Sequence, residues 1–217
     1  YNQLTSLDVS QNTALTYLNC YYNQLTNLDV SQNTALTGLN CGNNQLTSLD
    51  VSNNIDLNYL GLFYNELTSL NLSQNTALTN LGCEINHLTN LDVSQNTALT
   101  SLRCSYNSLT ILDLSQNTAL TYLDCHENQL TCLNVKNGNN TNFTLFRAYD
   151  NPDLTCIEVD DEDYSNTNWL NNDDFYLDDN HYFSNDCNYP AGCFTNSIEE
   201  YQSNLFIYPN PTNNLIQ

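Results

Sequence analysis

Leucine recurs at Leu4, Leu25, Leu46, Leu67, Leu88, Leu109 and Leu130, a spacing of 21 residues, and nearly everything between these positions recurs with it. Within one unit the apolar positions follow a short pattern stated twice: Leu15-x-x-Leu18-x-Cys20-x-x-Asn23-x-Leu25, then Leu25-x-x-Leu28-x-Val30-x-x-Asn33-x-x-Leu36. Leu18 and Cys20 alternate with Tyr17, Asn19 and Tyr21, the period-two sign of a short strand with one buried face. A unit this small buries its apolar face only against its neighbours, which predicts a solenoid. Its strands would stack as a parallel sheet about 4.8 Å apart. Leu28-Asp29-Val30-Ser31 predicts a second extended segment on the opposite side of each coil.

The polar positions are as regular as the apolar ones. Asn23, Asn44, Asn65, Asn86, Asn107 and Asn128 fall where the chain must turn. A buried amide there can bond the backbone groups that a turn leaves unpaired. Asn33 and its equivalents predict a second such ladder. Asp8, Asp29, Asp50, Asn71, Asp92, Asp113 and Asn134 form a third series on the surface. Stacked carboxylates repel one another unless screened or bridged, and local bonding to turn amides is the reading favoured for this series.

Composition narrows the partners. Three basic residues oppose 24 acidic ones, for a formal charge of -21. Nucleic acid and anionic membrane surfaces need basic patches and are disfavoured. No stretch approaches the roughly 20 apolar residues of a membrane span. Tyr1-Asn2-Gln3 matches Tyr22-Asn23-Gln24, so the chain reads as opening inside a repeat, as a fragment or processed piece would. Of nine cysteines, Cys20, Cys41, Cys83, Cys104 and Cys125 share one repeat position that the third unit fills with Leu62. That makes the position an apolar slot rather than a redox or metal site, and no CxxC pair argues otherwise. Cys132, Cys156, Cys187 and Cys193 lie outside this ladder. The last three fall towards the irregular C-terminal part, where an oxidising compartment would allow a disulfide. Cys156 with Cys187 is the preferred pair, and the pairing of Cys132 and Cys193 stays open.

These residues carry a family resemblance. LxxLxCxxNxL resembles the leucine-rich-repeat signature, and the 21-residue nested form with LDVSxN resembles the bacterial "IRREKO" class, over residues 1 to about 159. The resemblance implies an α/β-solenoid class in the broad sense, mostly β and loop. It implies a right-handed leucine-rich-repeat solenoid with a parallel sheet on the concave face, little helix, and use in protein recognition. Gly138-Asn139-Asn140 lengthens the seventh unit and predicts a surface loop, after which Phe143, Phe146, Ala148 and Asn151 resume the pattern. Periodicity stops at Asp160. Residues 160–193 resemble the C-terminal cap of secreted bacterial leucine-rich proteins, which implies that Trp169 covers the core's end and that a Cys156–Cys187 bridge staples the flap. Residues 194–205 read as a polar linker. Residues 206–217, with Tyr208, Pro209, Asn210 and Pro211, resemble the start of a type IX secretion sorting domain. That implies secretion by the type IX machinery, to the medium or cell surface of a Gram-negative bacterium.

Comparison between units gives the functional reading. The outward strand positions vary while the scaffold does not. They carry Tyr17, Tyr21, Tyr59, Phe63, Arg103, Tyr122, Asp124, His126, Arg147 and Tyr149, among them two of the three basic residues. Tyr and Arg are enriched at binding hot spots, so this face is the expected site for a protein or glycan ligand, as in adhesion. The alternative is a structural surface protein assembling end to end into filaments or a layer. His126 beside Asp124 reads as a solvated pair rather than a catalytic dyad. A solenoid face offers no deep pocket to shift a pKa, so no enzyme and no catalytic residue are expected. No cofactor or metal site is assigned. Calcium, if any, belongs in the acidic cap around Asp160, Asp161, Glu162 and Asp163, or Asp173, Asp174, Asp178 and Asp179, although EF-hand spacing is absent there.

Overall fold

Each repeat from Tyr17 to Arg147 places a three-residue strand of the main sheet where the sequence predicts it. The computed structural model describes residues 2–170, 174–190 and 192–194. In chain order the elements are β1 (Tyr17–Asn19), β2 (Gly38–Asn40), β3 (Tyr59–Gly61), β4 (Asn80–Gly82), β5 (Ser101–Arg103), β6 (Ile111–Asp113), β7 (Tyr122–Asp124), β8 (Cys132–Asn134), β9 (Leu145–Arg147), β10 (Cys156–Glu158), α1 (Glu162–Asn168), β11 (Phe175–Tyr176) and β12 (Tyr182–Ser184). The main sheet runs β1-β2-β3-β4-β5-β7-β9-β11 and the second sheet β12-β10-β8-β6, with every pairing parallel. The result is a parallel-strand solenoid of about seven turns with very little helix.

Register places like upon like. Leu18 pairs with Leu39, Leu39 with Leu60, Leu60 with Leu81 and Leu102 with Leu123. From Leu39 onward this column is almost wholly excluded from solvent. Cys41, Cys83, Cys104 and Cys125 stack beside it with Leu62 in the same slot, all buried and free. Burial pushes their thiols up, Cys20 to about 11 and the deeper four further, so they pack as neutral small hydrophobes.

The turn after each strand explains the Asn ladder. Tyr22, Asn43, Tyr64, Ile85, Tyr106, Glu127 and Asp150 each adopt a left-handed backbone, with φ between 51° and 59°. This conformation turns the chain inward and directs the next side chain under the strand. Asn65, for example, accepts from the Leu46 amide (3.0 Å) and donates to the carbonyls of Cys41 (3.1 Å) and Leu62 (2.9 Å). Each Asn of the series thus ties its own coil to the preceding one. The second ladder behaves similarly: Asn54 donates to the carbonyls of Val30 (3.1 Å) and Asn33 (2.8 Å), and Asn33, Asn75, Asn96 and Asn117 repeat the arrangement. The surface series forms local turns in which Asp8, Asp29 and Asp50 accept from the amides of Ser10, Ser31 and Ser52, each at 2.9 Å. Those bonds hold the three carboxyls below the usual range.

Two expectations need correction. The second extended segment becomes a strand only from β6 onward. At the position that opens it, the first coils carry Asn27, Ser48, Ser69 and Asn90, whereas later ones carry Ile111, Cys132 and Cys156. Ser and Asn favour local side-chain bonding over a ladder, and β-branched Ile favours the ladder. The insertion at Gly138-Asn139-Asn140 is also not a free surface loop. Asn140 is buried, donates to the Val135 carbonyl (2.6 Å) and accepts from the Asp160 amide (2.7 Å). Asp160 in turn accepts from the amides of Gly138 and Asn140.

At the far end Trp169 is buried, with the rings of Phe143, Phe146, Phe175 and Phe183 centred 5.0 to 5.7 Å away. Helix α1, capped by the Asp161 carboxylate on the Tyr164 amide (3.0 Å), delivers it there. Cys156 and Cys187 form the expected disulfide, and Cys132 joins Cys193 in a second. Between them the Tyr189 hydroxyl donates to the Leu133 carbonyl (2.6 Å) and accepts from the Glu158 amide (3.2 Å), bridging β8 and β10. Asp178, an acidic-cap residue considered for calcium, accepts from the amides of Asp150 and Asn151. Asp173 and the Tyr208-Pro209-Asn210-Pro211 segment lie outside the described residues.

Removing one rung should be costly. Asn65→Ala strands two carbonyls and an amide, and is expected to lower stability by about 2–4 kcal/mol in urea denaturation. Ile85 is the β-branched member of the left-handed series, so Ile85→Asn is expected to raise stability by about 1 kcal/mol in the same assay.

Candidate recognition face

On each main-sheet strand the middle side chain enters the core, so the flanking residues and the second residue after the strand point outward. The structure therefore brings all ten predicted face residues onto one surface. The residues of the first three coils are Tyr17, Asn19, Tyr21, Gly38, Asn40, Gly42, Tyr59, Gly61 and Phe63, none of them charged. Charge appears only beyond them, at Glu84, Arg103, Asp124, His126 and Arg147. Exposure is also uneven: Tyr17, Tyr21 and Tyr59 are exposed, whereas Tyr122, Arg147 and Tyr149 are half-buried.

The charged part is more closely built than a strand of drifting surface residues. The expected solvated pair of His126 and Asp124 is instead buried, with relative exposures of 8% and 7%. The His126 Nδ1 contacts the Asp124 carboxylate directly. Its ring stacks on Tyr149 (4.4 Å between centroids) and meets the Tyr106 ring edge-on (5.0 Å). These two large neighbours, one coil to either side, exclude the water that a shorter residue would admit. The other Asp124 oxygen faces the Arg147 guanidinium at 3.8 Å, and Arg147 lies 5.6 Å from the Tyr176 ring of β11. Arg103 lies over the Tyr122 ring at 4.7 Å. Arg147, Tyr149 and Tyr176 together line a shallow open cleft.

A His–Asp pair can serve as a general base only when a nucleophile lies within reach. Among the described residues no hydroxyl or thiol is hydrogen-bonded to the His126 ring, although Ser105 occupies the adjoining rung. The arrangement fixes the aromatic and guanidinium groups in place. Glu84 is the strained member of the face: it is half-buried, its Oε2 has no hydrogen-bond partner, and burial pushes its carboxyl above the usual range. Among the described residues no group of three or more His, Cys, Asp or Glu side chains converges as metal ligands would.

No protein-family model matches the chain. None of the curated proteins matches it either. Solved structures do. The functional domain of InlJ from Listeria monocytogenes, described as including a cysteine ladder, is 41% identical with a TM-score of 0.55, over 73% of this chain and 42% of that one. The leucine-rich-repeat protein LIC12759 of Leptospira interrogans is 25% identical with a TM-score of 0.59, over 82% of this chain and 46% of that one. The internalin InlF of L. monocytogenes has a TM-score of 0.64 at 19% identity, over 84% of this chain and 53% of that one.

The fold is that of the leucine-rich-repeat solenoids.

The chain spans about half the length of these three structures. Among the described residues no helix is long and apolar enough to cross a membrane. Three features of this leucine-rich-repeat solenoid escape sequence reasoning: the Cys132–Cys193 bridge, the Tyr189 latch and the burial of His126. The bridge joins residues 61 apart, which no local pattern announces. The burial of His126 had a signal in Tyr106 and Tyr149, which alignment of the repeats places beside it.

The Glu84 geometry has a pH consequence. A carboxyl raised on folding binds its proton more tightly in the folded state, so its contribution favours folding at low pH. That contribution is lost as pH rises through the unfolded and then the folded value. Glu84→Gln, measured by thermal melts across pH 4 to 8, is expected to raise the midpoint at neutral pH and to leave it nearly unchanged at the acid end.

Proposed function

We propose that this solenoid is a non-catalytic recognition module that binds an extracellular protein or glycan ligand through the outer face of its main sheet. The observation that carries the reading is the variation across that face, where aromatic and arginine side chains replace one another while the Asn, Leu and Cys positions behind them stay fixed. Large amphipathic side chains on a rigid backbone lose little entropy on binding and supply much contact area. Rigidity here comes from bonds between coils, so the face is held in shape before any partner arrives.

Two further observations support an extracellular setting. The disulfides Cys132–Cys193 and Cys156–Cys187 fit an oxidising compartment. The listerial and leptospiral structures it resembles are bacterial leucine-rich-repeat proteins, internalins among them. Within this reading, the Tyr208-Pro209-Asn210-Pro211 segment acts as a type IX sorting signal and delivers the solenoid to the surface of a Gram-negative cell. The acidic bulk of the chain keeps it soluble there and discourages association with anionic surfaces.

A variant carrying alanine at Tyr59, Phe63, Tyr122 and Arg103 tests the proposal. Labelled protein is applied to arrays of extracellular proteins and glycans and to cell surfaces, with circular dichroism melts alongside. The quadruple variant is expected to lose binding by more than about a hundredfold while its melting midpoint stays within a few degrees of the parent's. Undiminished binding by a folded quadruple variant would refute the assignment of this face.

A further inference from the structure

The uncharged part of the face, over β1, β2 and β3, carries aromatic side chains seated on its glycines. A Cβ built on Gly42 would stand 2.8, 2.8 and 2.9 Å from three atoms at the tip of the Phe63 ring. Equal distances to those three atoms put that point on the ring's axis, so Phe63 lies face-down over Gly42. The Tyr17 ring edge similarly occupies the space above Gly38, with two ring atoms 2.6 and 2.9 Å from a Cβ there. The Tyr59 hydroxyl reaches over Gly61, 3.0 Å from the corresponding point. Tyr21 completes the group with its centroid 5.5 Å from that of Phe63. Glycine is needed beneath Phe63 and beside Tyr17 because a side chain there would displace the ring.

From this geometry we infer that the tract over β1 to β3 binds an uncharged saccharide chain; the inference rests on the reading of the main-sheet face as a ligand site. Phe63 lying flat offers an electron-rich face to solvent, Tyr17 standing on its edge offers its faces sideways, and the C–H-lined face of a pyranose is the complementary surface. A protein hot spot instead favours side chains that insert into pockets. Asn19 and Asn40 border the rings. Their Oδ1 atoms accept from the Tyr21 amide (3.0 Å) and the Gly42 amide (3.2 Å), which leaves the Nδ2 groups to donate to sugar hydroxyls. Tyr17 and Tyr59 stand two strands apart, about 9.6 Å, so successive sugars of one chain can meet successive rings. Charge selects the class. In a chain of net charge -21 this tract carries no side chain charged at neutral pH, so a sialylated or sulfated chain meets repulsion from the surroundings and no local compensation. A cationic peptide finds its attraction elsewhere on the molecule.

The test applies the folded chain to immobilised neutral, sialylated and sulfated oligosaccharides. The parent is expected to bind neutral members. Binding should fall about tenfold in Tyr17→Ala and in Gly42→Ala, which keeps every aromatic residue but lifts Phe63, and should persist in Tyr182→Ala, an equally exposed tyrosine on the second sheet. Failure to bind any neutral oligosaccharide, binding confined to the anionic ones, or equal loss in Tyr182→Ala overturns the inference. A protein ligand that needs Tyr122 and Arg103, found without any glycan binding, also overturns it while leaving the broader function in place.

Discussion

Ladders of inward-facing asparagine amides hold this molecule in register, and the one behind the main sheet matters most for the recognition face. A solenoid turn leaves backbone carbonyls and amides facing inward, away from water, and each would cost free energy if left unpaired. The series from Asn23 to Asn151 answers that constraint with a single side chain that accepts from a leucine amide of the preceding coil and donates to carbonyls of both coils. The left-handed residue before each Asn is the strain accepted to place it. Replacing the Asn by a hydrophobe would conserve volume but not the bonds. This is why the position does not vary although its neighbours do.

Because the bonding lies behind the sheet, the residues in front of it carry little structural duty. That separation lets the main face be aromatic and uncharged over β1 to β3, and charged from β4 onward, on one continuous backbone. The far end follows a different logic. There the stack is closed by Trp169 and its aromatic neighbours, two disulfides and the Tyr189 hydroxyl. This closure covers the last apolar layer of the described coils.

The repetition made the scaffold legible, since a position that reads Cys, Cys, Leu, Cys is a core slot before any coordinates are seen. The Asn ladders and the local bonding of the Asp series were legible for the same reason: equal environments select equal residues. What depended on differences between coils was harder. The second sheet appears only where Ile111 succeeds Asn90 at one position, a change that looks like drift when read singly. His126 reads as solvated from its own coil, which says nothing of Tyr106 and Tyr149. The seating of Phe63 on Gly42 and of Tyr17 against Gly38 is hidden in the sequence, where glycines read as gaps in the variation rather than as seats for the neighbouring residues.

Native-state hydrogen exchange at the leucine amides tests the central role of the Asn ladder most directly. The amides of Leu25, Leu46, Leu67, Leu88 and Leu109 donate only to Asn side chains of the following coil, at 2.9 to 3.0 Å. If those bonds hold the coils together, these amides exchange as slowly as the backbone-bonded strand amides, through opening of whole coils. Exchange as fast as that of the exposed Ser10, Ser31 and Ser52 amides would contradict the account.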